Sequence, residues 1–194
     1  MSAAADPVVA EFADYSARLQ GVLQRADLAP VAALARAMQD CWRDERSLYL
    51  CGNGGSAGNA VHLANDFVYG IAMGKGVGMR AHALPANTSV VTCLANDIDY
   101  SEIFAAQLKV FGRRGDLLLA LSGSGNSGNI LKAITAAKEL GMPTFAVLGY
   151  GGGKAKEMVD VAIHFPVDDM QIAEDLQLVV GHMVMQWLHR NRSN

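Results

Sequence analysis

The chain is predicted to fold as an α/β protein, a five-stranded parallel sheet with helices on both faces and two further helices in front of it. Three observations carry this expectation. From Ser47 onward, short apolar runs alternate with longer segments of helical spacing. Two of those runs, Ser47 to Leu50 and Leu117 to Leu121, break into Gly/Ser/Asn turns that open helices. Before Ser47 the apolar residues recur only at helical intervals.

In order along the chain, Val8, Phe12, Tyr15, Leu19 and Val22 mark an amphipathic helix starting near Pro7, and Pro30, Leu34, Met38 and Trp42 mark a second with proline in its first turn. Strands are expected near 47–51, 80–84, 116–121, 143–148 and 161–165. Between them, helices are expected at Ser89 to Ala95 and Tyr100 to Phe111. Gly149 to Gly153 punctuates the fourth strand, and Asp168 to Gln171 leads into a last helix reaching Arg190.

At 194 residues the chain suits one domain with a substantial core. With Lys+Arg at 16 and Asp+Glu at 19, a net charge of −3 supplies no basic field for a phosphate backbone, so no nucleic-acid partner is expected. Hydrophobic residues make up 51%, yet no run approaches the roughly 18 apolar residues of a membrane helix. Part of that apolar surface is expected to meet another subunit. Cys41, Cys51 and Cys93 have neither disulfide-framework nor metal-ligand spacing, and the opening Met-Ser-Ala-Ala-Ala-Asp-Pro lacks a signal-peptide pattern. A cytoplasmic location is the expectation.

The turns Cys51-Gly52-Asn53-Gly54-Gly55-Ser56 and Ser122-Gly123-Ser124-Gly125-Asn126-Ser127 are the chemical signal. A strand, a glycine turn and a helix N-terminus present backbone N–H donors and a positive dipole end to one anion, and serine hydroxyls add uncharged donors. One such loop could be turn chemistry alone; two point to a phosphorylated small molecule. Neither loop has the Walker lysine or the complete dinucleotide glycine pattern, so no nucleotide cofactor is expected. His62 and Asp66 share a helix face at i, i+4. Glu174 and His182 lie eight residues apart, about 12 Å along a helix axis, a separation that strains a shared metal unless both side chains extend inward or two subunits contribute. Asn96-Asp97 could hold sugar hydroxyls or cap the helix at Tyr100. His82, His164 and His189 are read as structural, as is Cys51 at its strand end.

Taken together, the first loop with His62, the Asn96-Asp97 pair and the second loop resemble the sugar isomerase (SIS) family, and within it the phosphoheptose isomerases. The resemblance implies one SIS domain over 1–194, with helices in 1–45 used in oligomerisation, an α/β core over 46–194 and flavodoxin-like doubly wound strand order. It implies aldose–ketose isomerisation of a phosphosugar, in this branch between sedoheptulose 7-phosphate and D-glycero-D-manno-heptose 7-phosphate, feeding a surface glycan such as lipopolysaccharide. A homotetramer with interfacial sites and one zinc per site belong to the same expectation.

By that resemblance Asn53, Gly54, Gly55 and Ser56 line the sugar site, Asn96 and Asp97 contact substrate, and Ser122, Gly123, Ser124 and Ser127 hold the phosphate. The family's His, Glu, Gln, His set for metal and acid–base work reads His62, Asp66, Glu174 and His182 in this chain. The expected roles are Asp66 or Glu174 as base, His182 as acid, and His62 as ligand or orienting group, with zinc on all four. Asp66 is shorter than Glu by one C–C bond, about 1.5 Å, and Glu174 brings a charge where the family has a neutral amide. A basic residue of some family members is replaced around Tyr69-Gly70. Two alternatives remain open: an isomerase of another phosphosugar, and a non-catalytic SIS adaptor resembling the protein that associates with the replication initiator.

Overall fold

Alternation of buried side chains along five short strands is what builds the molecule. The structure is a computed structural model describing residues 6–74 and 76–191; residues 1–5, part of the segment read for a targeting signal, lie outside it. Its strands are β1 (Ser47–Cys51), β2 (Arg80–Ala83), β3 (Leu117–Ser122), β4 (Thr144–Leu148) and β5 (Val161–His164). The helices are α1 (Pro7–Arg25), α2 (Ala29–Arg43), α3 (Gly55–Val68), α4 (Thr88–Asp97), α5 (Ala105–Phe111), α6 (Gly128–Glu139), α7 (Ala155–Met158) and α8 (Met170–Arg190).

All strand pairs are parallel, in the order β2-β1-β3-β4-β5, the expected doubly wound arrangement. Leu48 and Leu50 of β1, Leu117, Leu119 and Leu121 of β3, and Phe145 and Val147 of β4 face one core with α2, α3 and α8. Their neighbours Tyr49, Cys51, Leu118, Ala120, Ala146 and Leu148 face a second core with α5, α6 and α7. The period of two in a strand thus supplies both layers from one continuous apolar run. On α8 the buried residues Ile172, Ala173, Leu176, Val180, Val184 and Leu188 keep helical spacing, with Gln177 the one side chain on that stripe able to form strong hydrogen bonds.

Local chemistry sets the ends. The Asp6 carboxylate accepts from Val8 N (2.9 Å) to start α1, and Asp169 accepts from Ile172 N (3.1 Å) to start α8. β2 stops at Ala83, one residue before the expected end, because Leu84 enters a 3-10 turn with Pro85. The helix expected over Tyr100 to Phe111 is instead a 3-10 turn, Tyr100–Glu102, followed by α5, an offset that leaves adjacent Ile103 and Phe104 both in the core. Among the described residues no helix is long and apolar enough to cross a membrane.

Candidate active site

The two glycine–serine loops leave β1 and β3, adjacent strands at which the strand order reverses, where open α/β sheets form a ligand crevice. Close approach dictates the glycines. A Cβ on Gly52 would lie 2.5 Å from Ser56 O, one on Gly55 would collide with the Glu174 carboxylate, and one on Gly125 (φ 67°) would collide with Gly152 O. Neither α3, which starts after Gly54, nor α6, which starts after Ser127, has a side-chain cap; Ala57 N and Ile130 N donate to backbone carbonyls, which leaves the N–H groups of Gly55, Ser56, Gly128 and Asn129 available to an anion.

The loops are tied together by side-chain amides. Asn53 and Asn129 exchange hydrogen bonds of 2.9 and 2.8 Å, and Tyr100 OH donates to Asn53 Oδ1 (3.0 Å). Three serine hydroxyls accept from the protein: Ser56 Oγ from Gln177 Nε2 (2.9 Å), Ser122 Oγ from Gly125 N (3.0 Å) and Ser124 Oγ from Asn126 N (3.3 Å). Each therefore keeps its own proton for another acceptor.

Helices α3 and α8 run side by side in the same direction, Ser56 meeting Gln177, Leu63 meeting Gly181 and Ile71 meeting His189. A Cβ on Gly181 would collide with Leu63, so glycine lets the two backbones approach. That seam brings His62 Nε2 within 3.0 Å of His182 Nε2, and Asp66 Oδ2 lies 3.5 Å from each nitrogen. The imidazoles meet edge to face. These three groups fit a divalent ion: bonds of about 2.0–2.1 Å in a tetrahedron give ligand–ligand edges of roughly 3.3–3.4 Å, close to the spacing observed.

Of the four expected metal ligands, the structure gathers His62, Asp66 and His182 and leaves Glu174 outside that group. Glu174 sits over Gly55 at the start of α3, two turns before His182 on α8. Ser56 is buried at 4% exposure. Gly123 packs against Met170, whose Sδ would lie 2.6 Å from a Cβ there, and its carbonyl accepts from Gly149 N (3.0 Å). Asn96 and Asp97 belong to the last turn of α4 rather than following it. Asp97 accepts from Asn96 Nδ2 (2.8 Å) and Cys93 Sγ (3.3 Å), bonds that hold its carboxyl below the usual range. The cap of the Tyr100 turn is Asp99, which accepts from Ser101 N (2.8 Å). At Gly70, beside the expected basic position, a Cβ would lie 2.8 Å from Met185 Cε, the far end of a flexible side chain.

Cys51 is fully buried, and burial pushes its thiol up to about 12. His82 stacks on Tyr49, His164 Nε2 lies 2.9 Å from Tyr150 O, and His189 Nδ1 lies 3.1 Å from Ile71 O, all structural settings. Sequence reasoning missed Asn59, Gln177 and, as a partner of Asn53, Asn129. The available signal for Gln177 was an amide on an otherwise apolar helix stripe.

A SIS domain matches residues 11–149. Phosphoheptose isomerase of Chlorobaculum parvum is 38% identical over 175 residues, 89% of this chain and 83% of that protein. The solved phosphoheptose isomerase of Neisseria gonorrhoeae is 30% identical with a TM-score of 0.85, and that of Francisella tularensis 25% identical with a TM-score of 0.88, each comparison covering 95% of this chain and 98% of the other. A match that runs through both loops and the crevice between them places the chain in the SIS-domain family.

Proposed function

We propose that the protein is a phosphoheptose isomerase interconverting sedoheptulose 7-phosphate and D-glycero-D-manno-heptose 7-phosphate. The observation that carries this is the pairing of two glycine–serine loops at one crevice with the His62–Asp66–His182 trio, formed where the helix that leaves the first loop packs along α8. Relatives named for this activity at 36–38% identity support it. Chain length is consistent with it: His62 lies seven residues beyond Gly55, about 10 Å along the helix. An extended seven-carbon phosphate spans roughly 9 Å from carbonyl to phosphorus, with bonds of about 1.5 Å in a zigzag.

The phosphate sits between the first turns of α3 and α6, receiving N–H groups and the hydroxyls of Ser122, Ser124 and Ser127, while Asn53, Gly54, Gly55 and Ser56 face the sugar. Asn96 and Asp97 complete the sugar contacts from α4. Isomerisation requires a base for the proton alpha to the carbonyl and an acid for the carbonyl oxygen. Asp66 is the base, because it is the carboxylate beside His182; its Oδ1 has only a 3.5 Å contact with Asn65 Nδ2. His182 gives its proton to the carbonyl oxygen, and His62 orients the pair. Glu174, at the first loop, binds sugar hydroxyls, or completes the centre of a second copy. Zinc, one per site, would be held by His62, Asp66 and His182, and when bound supplies the carbonyl polarisation that His182 otherwise supplies by protonation.

The proposal extends to a homotetramer assembled through the N-terminal helices of 1–45, with 46–194 as catalytic core, a cytoplasmic location, no nucleic-acid partner and a product used for surface glycans such as lipopolysaccharide. The test is NMR observation of purified protein with sedoheptulose 7-phosphate, alongside metal analysis. Appearance of the aldose phosphate, with about one zinc per chain, is expected. Turnover of a different phosphosugar alone would replace the substrate; binding without turnover would favour an adaptor.

A further inference from the structure

Ser56 is 4% exposed and Gln177 1% exposed, so the hydrogen bonds between α3 and α8 must be satisfied by one another. Their polarity follows from one fixed point. Asn59 Nδ2 lies 3.0 Å from the backbone carbonyl of Glu174, a group that only accepts. The second Nδ2 proton goes to Gln177 Oε1 at 3.0 Å. With its oxygen engaged there, Gln177 turns Nε2 to Ser56 Oγ at 2.9 Å. Ser56 is thereby an acceptor inside the protein, and none of the described residues accepts its hydroxyl proton.

We propose that Asn59 and Gln177 are positioning residues that hold Ser56 as a hydrogen-bond donor to an oxygen of the bound phosphosugar. This rests on the function proposed above. Ser56 is the second residue of α3, where uncapped N–H groups already favour an anionic ligand. The relay runs from the Glu174 carbonyl through Asn59 and Gln177, so the same amides that register α8 against α3 set the direction of the hydroxyl. Gln177→Glu keeps the shape but replaces the donor with an acceptor, letting Ser56 donate inward and withdraw its proton from the ligand. Gln177→Met removes the donor without adding an acceptor and leaves the hydroxyl free to turn.

The experiment is a double-mutant cycle of Ser56→Ala and Gln177→Glu, read as KM and kcat for sedoheptulose 7-phosphate with melting temperature alongside. Gln177→Glu is expected to raise KM about 3- to 10-fold, the weight of a hydrogen bond to a neutral sugar oxygen, with kcat within about threefold. In the Ser56→Ala background it should raise KM no further. Gln177→Met should raise KM less than Gln177→Glu; should the glutamate variant not fold, the Met variant carries the cycle. The relay is overturned by an unchanged KM, by an equal rise in the Ser56→Ala background, or by a fall in kcat alone. If the wild type binds the phosphosugar without turnover, the isomerase reading fails and the cycle is read on calorimetric Kd instead. If it neither binds nor turns over this ligand, both proposals fall.

Discussion

A serine hydroxyl that accepts a hydrogen bond from its own protein has a proton left for something else, and Ser56, Ser122 and Ser124 all stand in that position. Ser124 is the half-exposed member on the second loop, so its proton is the most accessible to a phosphate. Ser124→Ala should weaken phosphosugar binding roughly 10- to 100-fold, as expected for a bond to a charged acceptor; calorimetry showing unchanged affinity would remove the phosphate role. These serines were legible in the sequence because glycine and serine after an apolar run have a local meaning. Gln177 was not, because its partner Ser56 is 121 positions away and an amide carries no mark of what it will meet. Glu174 shows the same limit. Its spacing from His182 strained a shared centre without settling where it sits, because its seat over Gly55 depends on how two helices pack.

At the scale of elements, the alignment of α3 with α8 creates the trio, and Gly181 is the residue that permits it. Leu63 is completely buried and closes on the Gly181 backbone one position from His182. Gly181→Ala should cost about 1–3 kcal/mol through overpacking, lowering the melting temperature by roughly 2–12 °C at about 2–4 °C per kcal/mol for a chain of this size. Turnover should fall with it as His182 is pushed from His62. A calorimetric melt equal to the wild type, with turnover unchanged, would show the seam to be looser than drawn. Strands were readable to within a residue or so because their buried runs are continuous. The break between Tyr100–Glu102 and α5 was hidden, since the apolar spacing there suits either one helix or two pieces.

For the whole molecule, α1 has no fully buried residue although its sequence is strongly amphipathic. Tyr15, Leu19 and Val22 pack against the core, while Val8, Val9 and Phe12 remain 53%, 61% and 68% exposed. Two contacts fasten the helix to α8: Tyr15 OH donates to Asp175 Oδ2 (2.5 Å), which pushes the phenol up to about 12, and Arg18 pairs with Asp169. This outer apolar end is the expected seat of a second copy. Light scattering at micromolar concentration should report a tetramer, and Phe12→Asp should lower that mass; a wild-type monomer would contradict the assembly. Isomerisation of a phosphoheptose with Asp66 as base is tested by NMR conversion of sedoheptulose 7-phosphate by wild type, Asp66→Asn and Glu174→Gln. Wild type should convert it, Asp66→Asn should be slower by at least about 100-fold, and Glu174→Gln should retain turnover. No conversion by wild type would overturn the isomerase, and full activity in Asp66→Asn with loss in Glu174→Gln would move the base to Glu174.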